Sequence, residues 1–184
     1  MDVAAGSAGN IGRAPRETPY PAGWTVRQGL DAYLGENGFT VEAYDAPTTE
    51  AVFLRVTFHV PNTPAHRRAI MRHDLHHVVT GYGTDPAGEG EISAWEIRRG
   101  LRGLDLYVRS IVVGGLMLGL TVAPRRTLRA LRASGRGNLF DVDDHTYEAL
   151  MDRTIGELRA ELGIPEEGLA DHPRGLHSGA PHRP

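Results

Sequence analysis

Between Thr63 and Gly100 the chain carries two helix-start signals with a glycine-rich break between them, and this stretch constrains the fold more than any other. Thr63 can cap a helix whose first residue is Pro64. The threonine oxygen takes a backbone N–H of the first turn, and proline lacks the N–H that would otherwise go unpaired there. The helix is expected to run to about Thr80, where Gly81, Gly83, Pro86 and Gly88 interrupt it. Asp85-Pro86 repeats the start signal for a second helix, from Ala87 to about Gly100. So short a break folds the second helix back, bringing its first turn across from the end of the first.

That return matters because both ends carry metal-ligand chemistry. The first helix holds His73-Asp74-Leu75-His76-His77, and Glu89 stands in the opening turn of the second. His73 and His77 lie at i and i+4 and share one helix face, with Cβ atoms about 5–6 Å apart. Two imidazole nitrogens at that spacing can reach one cation at about 2.0–2.1 Å. A histidine pair alone is common and means little. Asp74 and Glu89 add carboxylate oxygens, as ligands or as a general base, giving two histidines with one or two carboxylates. Such a set suits zinc, iron, manganese or cobalt, and the ligand types do not choose among them; zinc is the ion expected. Asp74 lies about 100° around the helix from His73. It either ligates at the helix edge or acts beside the metal, fixing a histidine tautomer. His76 points off the shared face, towards solvent or a position behind the ligands. Glu91 reads as surface. Glu96, seven residues after Glu89 on the same face, reads either as support for a ligand or as an ion-pair partner of Arg99 or Arg102.

Around this unit the pattern is mainly α, a helical bundle of five or six helices with a short N-terminal β-hairpin. Trp24 to Gly35 reads as an amphipathic helix with Val26, Leu30, Tyr33 and Leu34 on one side. Thr40–Tyr44 and Ala51–Val60 are rich in β-branched and aromatic residues, and a turn between them would pair them as the hairpin. Leu101–Leu120 is an apolar helix ended by Pro124. A last helix capped by Asp143 or Asp144 runs through Tyr147, Leu150, Met151, Ile155, Leu158 and Leu162. Residues 1–22 and 165–184 read as disordered tails around a single domain, 23–164; His172, His177 and His182 belong to the second tail.

Composition removes several function classes. There is no cysteine, so thiolate metal sites and disulfides are excluded. There is also no lysine, which removes Schiff-base catalysis and the phosphate-binding P-loop. A formal net charge of −3 gives no reason to expect nucleic acid. The apolar run from Ile111 to Ala123 is too short for a span of about 18–20 residues. A cytoplasmic protein, peripheral to the inner membrane at most, is expected. Gly114, Gly115 and Gly119 in that run suit close helix packing, or a groove for a lipid tail. Arg125, Arg126, Arg129, Arg132 and Arg136 suit either solvent or anionic headgroups.

The segment HDLHHVVTGYGTDPAGEGE resembles the H-D-x-x-H-(x)11-E signature of the ubiquinone biosynthesis Coq-four family, with His73, Asp74, His77 and Glu89 at the matching spacing. The flanking Val79, Thr80, Gly81, Tyr82, Thr84, Asp85, Ala87 and Gly88 fit the same pattern. Glu-Leu-Arg-Ala-Glu-Leu-Gly-Ile at 157–164 resembles the family's terminal helix. The resemblance covers about 63–164. It implies a helical bundle and a divalent metal held by His73, Asp74, His77 and Glu89, with Asp74 and Glu89 also catalytic. The implied activity is oxidative decarboxylation of a prenylated hydroxybenzoate or a related aromatic metabolite, with hydroxyl replacing carboxylate at ring C1. A non-catalytic lipid-binding scaffold organising quinone-biosynthesis enzymes is the alternative it carries. A zincin-like hydrolase with Asp74 as base is a weaker alternative, drawn from the histidine spacing. A hydrophobic or prenylated small-molecule substrate, a lipid surface, quinone-biosynthesis enzymes and a homo-oligomer are the expected partners.

Overall fold

The computed structural model describes residues 19–45, 47–53 and 56–171. Both expected tails fall largely outside that range, including His172, His177 and His182.

The helix-start signals operate as local chemistry requires. Thr25 caps α1 (Val26–Asn37) in a reciprocal box with Gln28, and Gly38 closes the helix at φ 69°. Thr63 caps α2 (Pro64–Thr80) by accepting the His66 N–H, and Gly81 ends it at φ 80°. Asp85 caps α3 (Pro86–Arg99) through the Gly88 N–H. In the break between α2 and α3, a Cβ on Gly88 would meet the Gly83 carbonyl oxygen at 2.1 Å, so only glycine lets the turn close this tightly. The two helices on which the metal reading rests thus lie where the sequence places them.

Elsewhere the elements shift. Asp105 caps α4 (Leu106–Val122), which starts five residues later than expected. The arginine-rich segment forms its own helix, α5 (Pro124–Arg132). The single last helix is two, α6 (Asp144–Leu150) and α7 (Ile155–Leu162). Thr154 starts α7 with its own capping box to Glu157, which breaks the continuous helix. The apolar positions nevertheless hold: Tyr147, Leu150, Met151, Ile155, Leu158 and Leu162 are all buried. Seven α-helices therefore form the bundle among the described residues.

The hairpin is also placed differently. Val41–Asp45 is a 3-10 turn rather than a strand. The pairing is β1 (Thr48–Phe53) antiparallel to β2 (Val56–Pro61), in register from Thr48 opposite Pro61 to Phe53 opposite Val56. The 3-10 turn brings the Tyr44 hydroxyl to Asp74 of α2.

The packed region extends past both expected boundaries. Tyr20 is 3% exposed within the core, and the Pro19 ring lies against Gly81. At the other end, the Leu169 and Ala170 N–H groups donate to Thr80 O, while Arg159 Nε donates to Val79 O at 2.8 Å. The last carbonyls of α2 have no partner within their own helix. Buried Arg159 and the 165–171 segment supply those partners, so the stretch expected to be a tail caps the helix that carries the histidines.

The main core joins α1, α2, α3, α6 and α7 around Trp95, Leu75, Ile92, Val78 and Ile155. α4 packs chiefly on α3, and very closely: a Cβ on Gly90 would lie 2.2 Å from the Gly119 Cα, and one on Gly115 would lie 2.2 Å from Ser93 Oγ. Gly115 and Gly119 serve helix packing, whereas Gly114 faces open space. The outer face of α4 stays apolar and exposed, with Leu106, Val113, Met117 and Val122 each more than 40% exposed. No described helix is long and apolar enough to cross a membrane.

Candidate metal centre

α2 and α3 bring His73, His77 and Glu89 together, with one potential ligand atom from each lying within 4.8 Å of the others. His73 Nε2 and His77 Nε2 are 3.1 Å apart. Glu89 presents one oxygen 3.4 Å from His73 Nε2 and the other 3.5 Å from His77 Nε2. The His77 side chain is fully buried, while those of His73 and Glu89 are 24% and 35% exposed, so the centre opens towards solvent on their side.

The hydrogen bonds behind the rings decide what the front nitrogens can do. His77 Nδ1–H donates to Tyr82 O at 3.0 Å, and His73 Nδ1–H donates to Glu96 Oε1 at 2.8 Å. With both rings neutral, each Nε2 offers a lone pair to the same point, the arrangement that metal-binding histidines require. Two lone pairs 3.1 Å apart repel unless a proton or a cation lies between them. Ligands at about 2.0–2.1 Å from one metal sit about 2.9–3.4 Å apart at tetrahedral to right angles, so the spacing fits. This cluster can hold a metal ion.

The electrostatics set the two histidines apart. Burial lowers the His77 pKa to about 4, which keeps its ring neutral and able to ligate at neutral pH. Burial also pulls on His73, but the Glu96 and Glu89 carboxylates outweigh it and raise its pKa well above 6.5. Without a metal His73 therefore favours its protonated form, and a bound cation would take the place of the Nε2 proton. Glu89 is held below its ordinary value because His77 and His73 outweigh its burial.

Asp74 is placed differently from the other three. It is 5% exposed, and its two oxygens accept hydrogen bonds from the Tyr33 hydroxyl (3.1 Å) and the Tyr44 hydroxyl. Burial raises its pKa to about 6, against the opposing pull of the Tyr44 hydroxyl and His73. The cluster is thus three residues of the expected four, and Asp74 stands beside it as a buried carboxyl poised near neutrality. Tyr33 also stacks on His77, with ring centroids 5.4 Å apart. Neither tyrosine is singled out by the sequence. Tyr33 reads there only as part of an apolar helix face, and Tyr44 as part of a strand.

Three other residues resolve as follows. His76 is fully buried, not solvent-facing, and donates from Nδ1 to Glu96 at 2.7 Å. Glu96 is fully buried and bonds to these two histidines rather than to Arg99 or Arg102. Glu91 is buried too, and pairs with Arg126 of α5 at 2.7 Å. The arginine segment is accordingly not all free for solvent or lipid, since Arg129 also pairs with Asp171.

Comparison with known proteins finds no family model, no curated protein and no solved structure that matches this chain.

Proposed function

We propose that this protein is a metal-dependent enzyme acting on an aromatic substrate, of the Coq-four type. One observation carries the reading: two histidines, each held from behind at Nδ1, converge with a glutamate on a half-open point, and a protonatable carboxyl stands next to it. A structural metal would not need the open side. Bound there, a divalent cation supplies Lewis acidity towards a phenolate or carboxylate oxygen, and iron or manganese also supplies redox capacity.

The residues then take separate roles. His73, His77 and Glu89 hold the ion. Asp74, near pH 6 and gripped by Tyr33 and Tyr44, can give or take a proton beside the substrate. In oxidative decarboxylation the bond from ring C1 to the carboxyl carbon breaks and CO2 leaves. A C1–oxygen bond forms in its place. The balance closes with dioxygen as two-electron acceptor: aryl carboxylic acid, dioxygen and water give phenol, CO2 and hydrogen peroxide. Zinc, iron, manganese and cobalt all fit these donors, and ligand type does not choose among them.

The exposed apolar face of α4, next to exposed Arg125 and Arg132, favours a second role at a lipid surface. It is compatible with a prenylated substrate and with the scaffold reading. The test is elemental analysis of untagged protein, followed by assay of the metal-loaded chain for CO2 release from a prenylated hydroxybenzoate. Metal without turnover on any hydroxybenzoate would favour the scaffold.

A further inference from the structure

We propose that Glu96 is the positioning residue and counter-charge of the metal centre, and that His76 exists to hold it. The inference rests on the metal reading above. Glu96 Oε1 accepts from two imidazoles at once, His73 Nδ1–H at 2.8 Å and His76 Nδ1–H at 2.7 Å. The donor roles are not interchangeable. The Leu139 backbone N–H donates to His76 Nε2 at 2.9 Å, so Nε2 must carry a lone pair and the ring proton must sit on Nδ1. His76 is further fixed between Trp95 and Phe140, at centroid distances of 5.4 and 4.9 Å. It can only donate to Glu96, and Glu96 is thereby left to accept from His73. That bond turns the His73 Nε2 lone pair towards His77 and Glu89.

The charge argues in the same direction. Glu96 is fully buried, and its Oε2 has no hydrogen-bond partner. An anion so poorly solvated is costly unless a positive charge compensates it. The ion pair with His73 at 2.8 Å supplies it in the metal-free chain, and a cation where the three ligand atoms converge would take over that charge across the His73 ring. A divalent ion there would offset the charges of Glu89 and Glu96. Carboxylates hydrogen-bonded behind a metal-binding histidine typically change affinity or activity 10–100-fold when removed.

The test uses the full chain, stripped with a chelator and titrated with Zn2+ against a competing indicator. Glu96→Gln keeps an acceptor oxygen for both imidazoles but removes the charge. It is expected to bind one Zn2+ 10–100-fold more weakly, while Glu96→Asp recovers part of the loss. Affinity within twofold of wild type in Glu96→Gln would overturn the counter-charge role. Should the variants fail to fold, long-range 1H–15N spectra of the histidines in the zinc-loaded wild type decide. A proton on Nδ1 of both His73 and His76 is expected, and a proton on His73 Nε2 would overturn the positioning role. A wild type that binds no Zn2+, Fe2+, Mn2+ or Co2+ would instead bring down the metal reading itself.

Discussion

Replacing Asp74 with asparagine separates a stability cost from a functional role. The Asp74 carboxyl has a folded pKa of about 6 against an ordinary 3.8. The folded chain therefore holds this proton more tightly than the unfolded chain. The associated stability is complete below pH 3.8 and is lost as the pH rises through 6. The gap is roughly two pKa units, or about 3 kcal/mol at 1.36 kcal/mol per unit. Asparagine has no such proton, and its amide can still accept from one tyrosine hydroxyl and donate to the other. In chelator-stripped protein, the stability of Asp74→Asn relative to wild type should improve by about 2–3 kcal/mol between pH 4 and pH 8. Urea denaturation across that range measures it. A difference that does not change with pH would refute the reasoning. With metal restored, turnover should fall at least about tenfold in the same variant, since positioned acid–base groups contribute 10²–10⁴-fold. Metal binding should fall less than in Glu89→Ala. Equal and complete metal loss in the two variants would make Asp74 a ligand.

Other outcomes follow from the same geometry. His73→Ala with His77→Ala should abolish binding of the single metal, read by elemental analysis, while truncation after Asp171 should leave it bound; metal retained in the double mutant would place the site elsewhere. Gly90→Ala should destabilise the fold by about 1–3 kcal/mol or more through the clash with Gly119, whereas Gly114→Ala, facing open space, should be neutral or gain up to about 1 kcal/mol of helix propensity, both read by thermal unfolding. If α4 meets lipid, wild type should float with anionic vesicles and Met117→Glu should not, with folding unchanged because Met117 is 58% exposed; unfolding of this variant would show that the face is covered in solution.

Helices α2 and α3 were legible in the sequence because their ends are set by neighbours. A threonine or aspartate oxygen, a proline at the first position and a glycine at the last act within one turn. The pairing of His73 with His77 was legible for the same reason, since four residues is one helical turn. The glycine break made the approach of Glu89 an expectation, because a short break leaves two helices little choice but to return. Asp74 was different. Its partners lie 41 and 30 positions away, and no local pattern distinguishes a tyrosine that will donate to a buried carboxyl from one that only fills a core. His76 and Glu96 each read two ways in the sequence, as solvated or as support for a ligand, and the choice is made only when Trp95, Phe140 and Leu139 close over His76 and its ring meets Glu96. The same holds for Arg159 and the 165–171 segment, whose low-complexity look says nothing of the unpaired α2 carbonyls they meet. Capping and periodicity are local and can be read along the chain. Desolvation and the pairing of distant polar groups arise only when the helices pack, and they determine which carboxylate binds, which one titrates and which one holds a histidine in place.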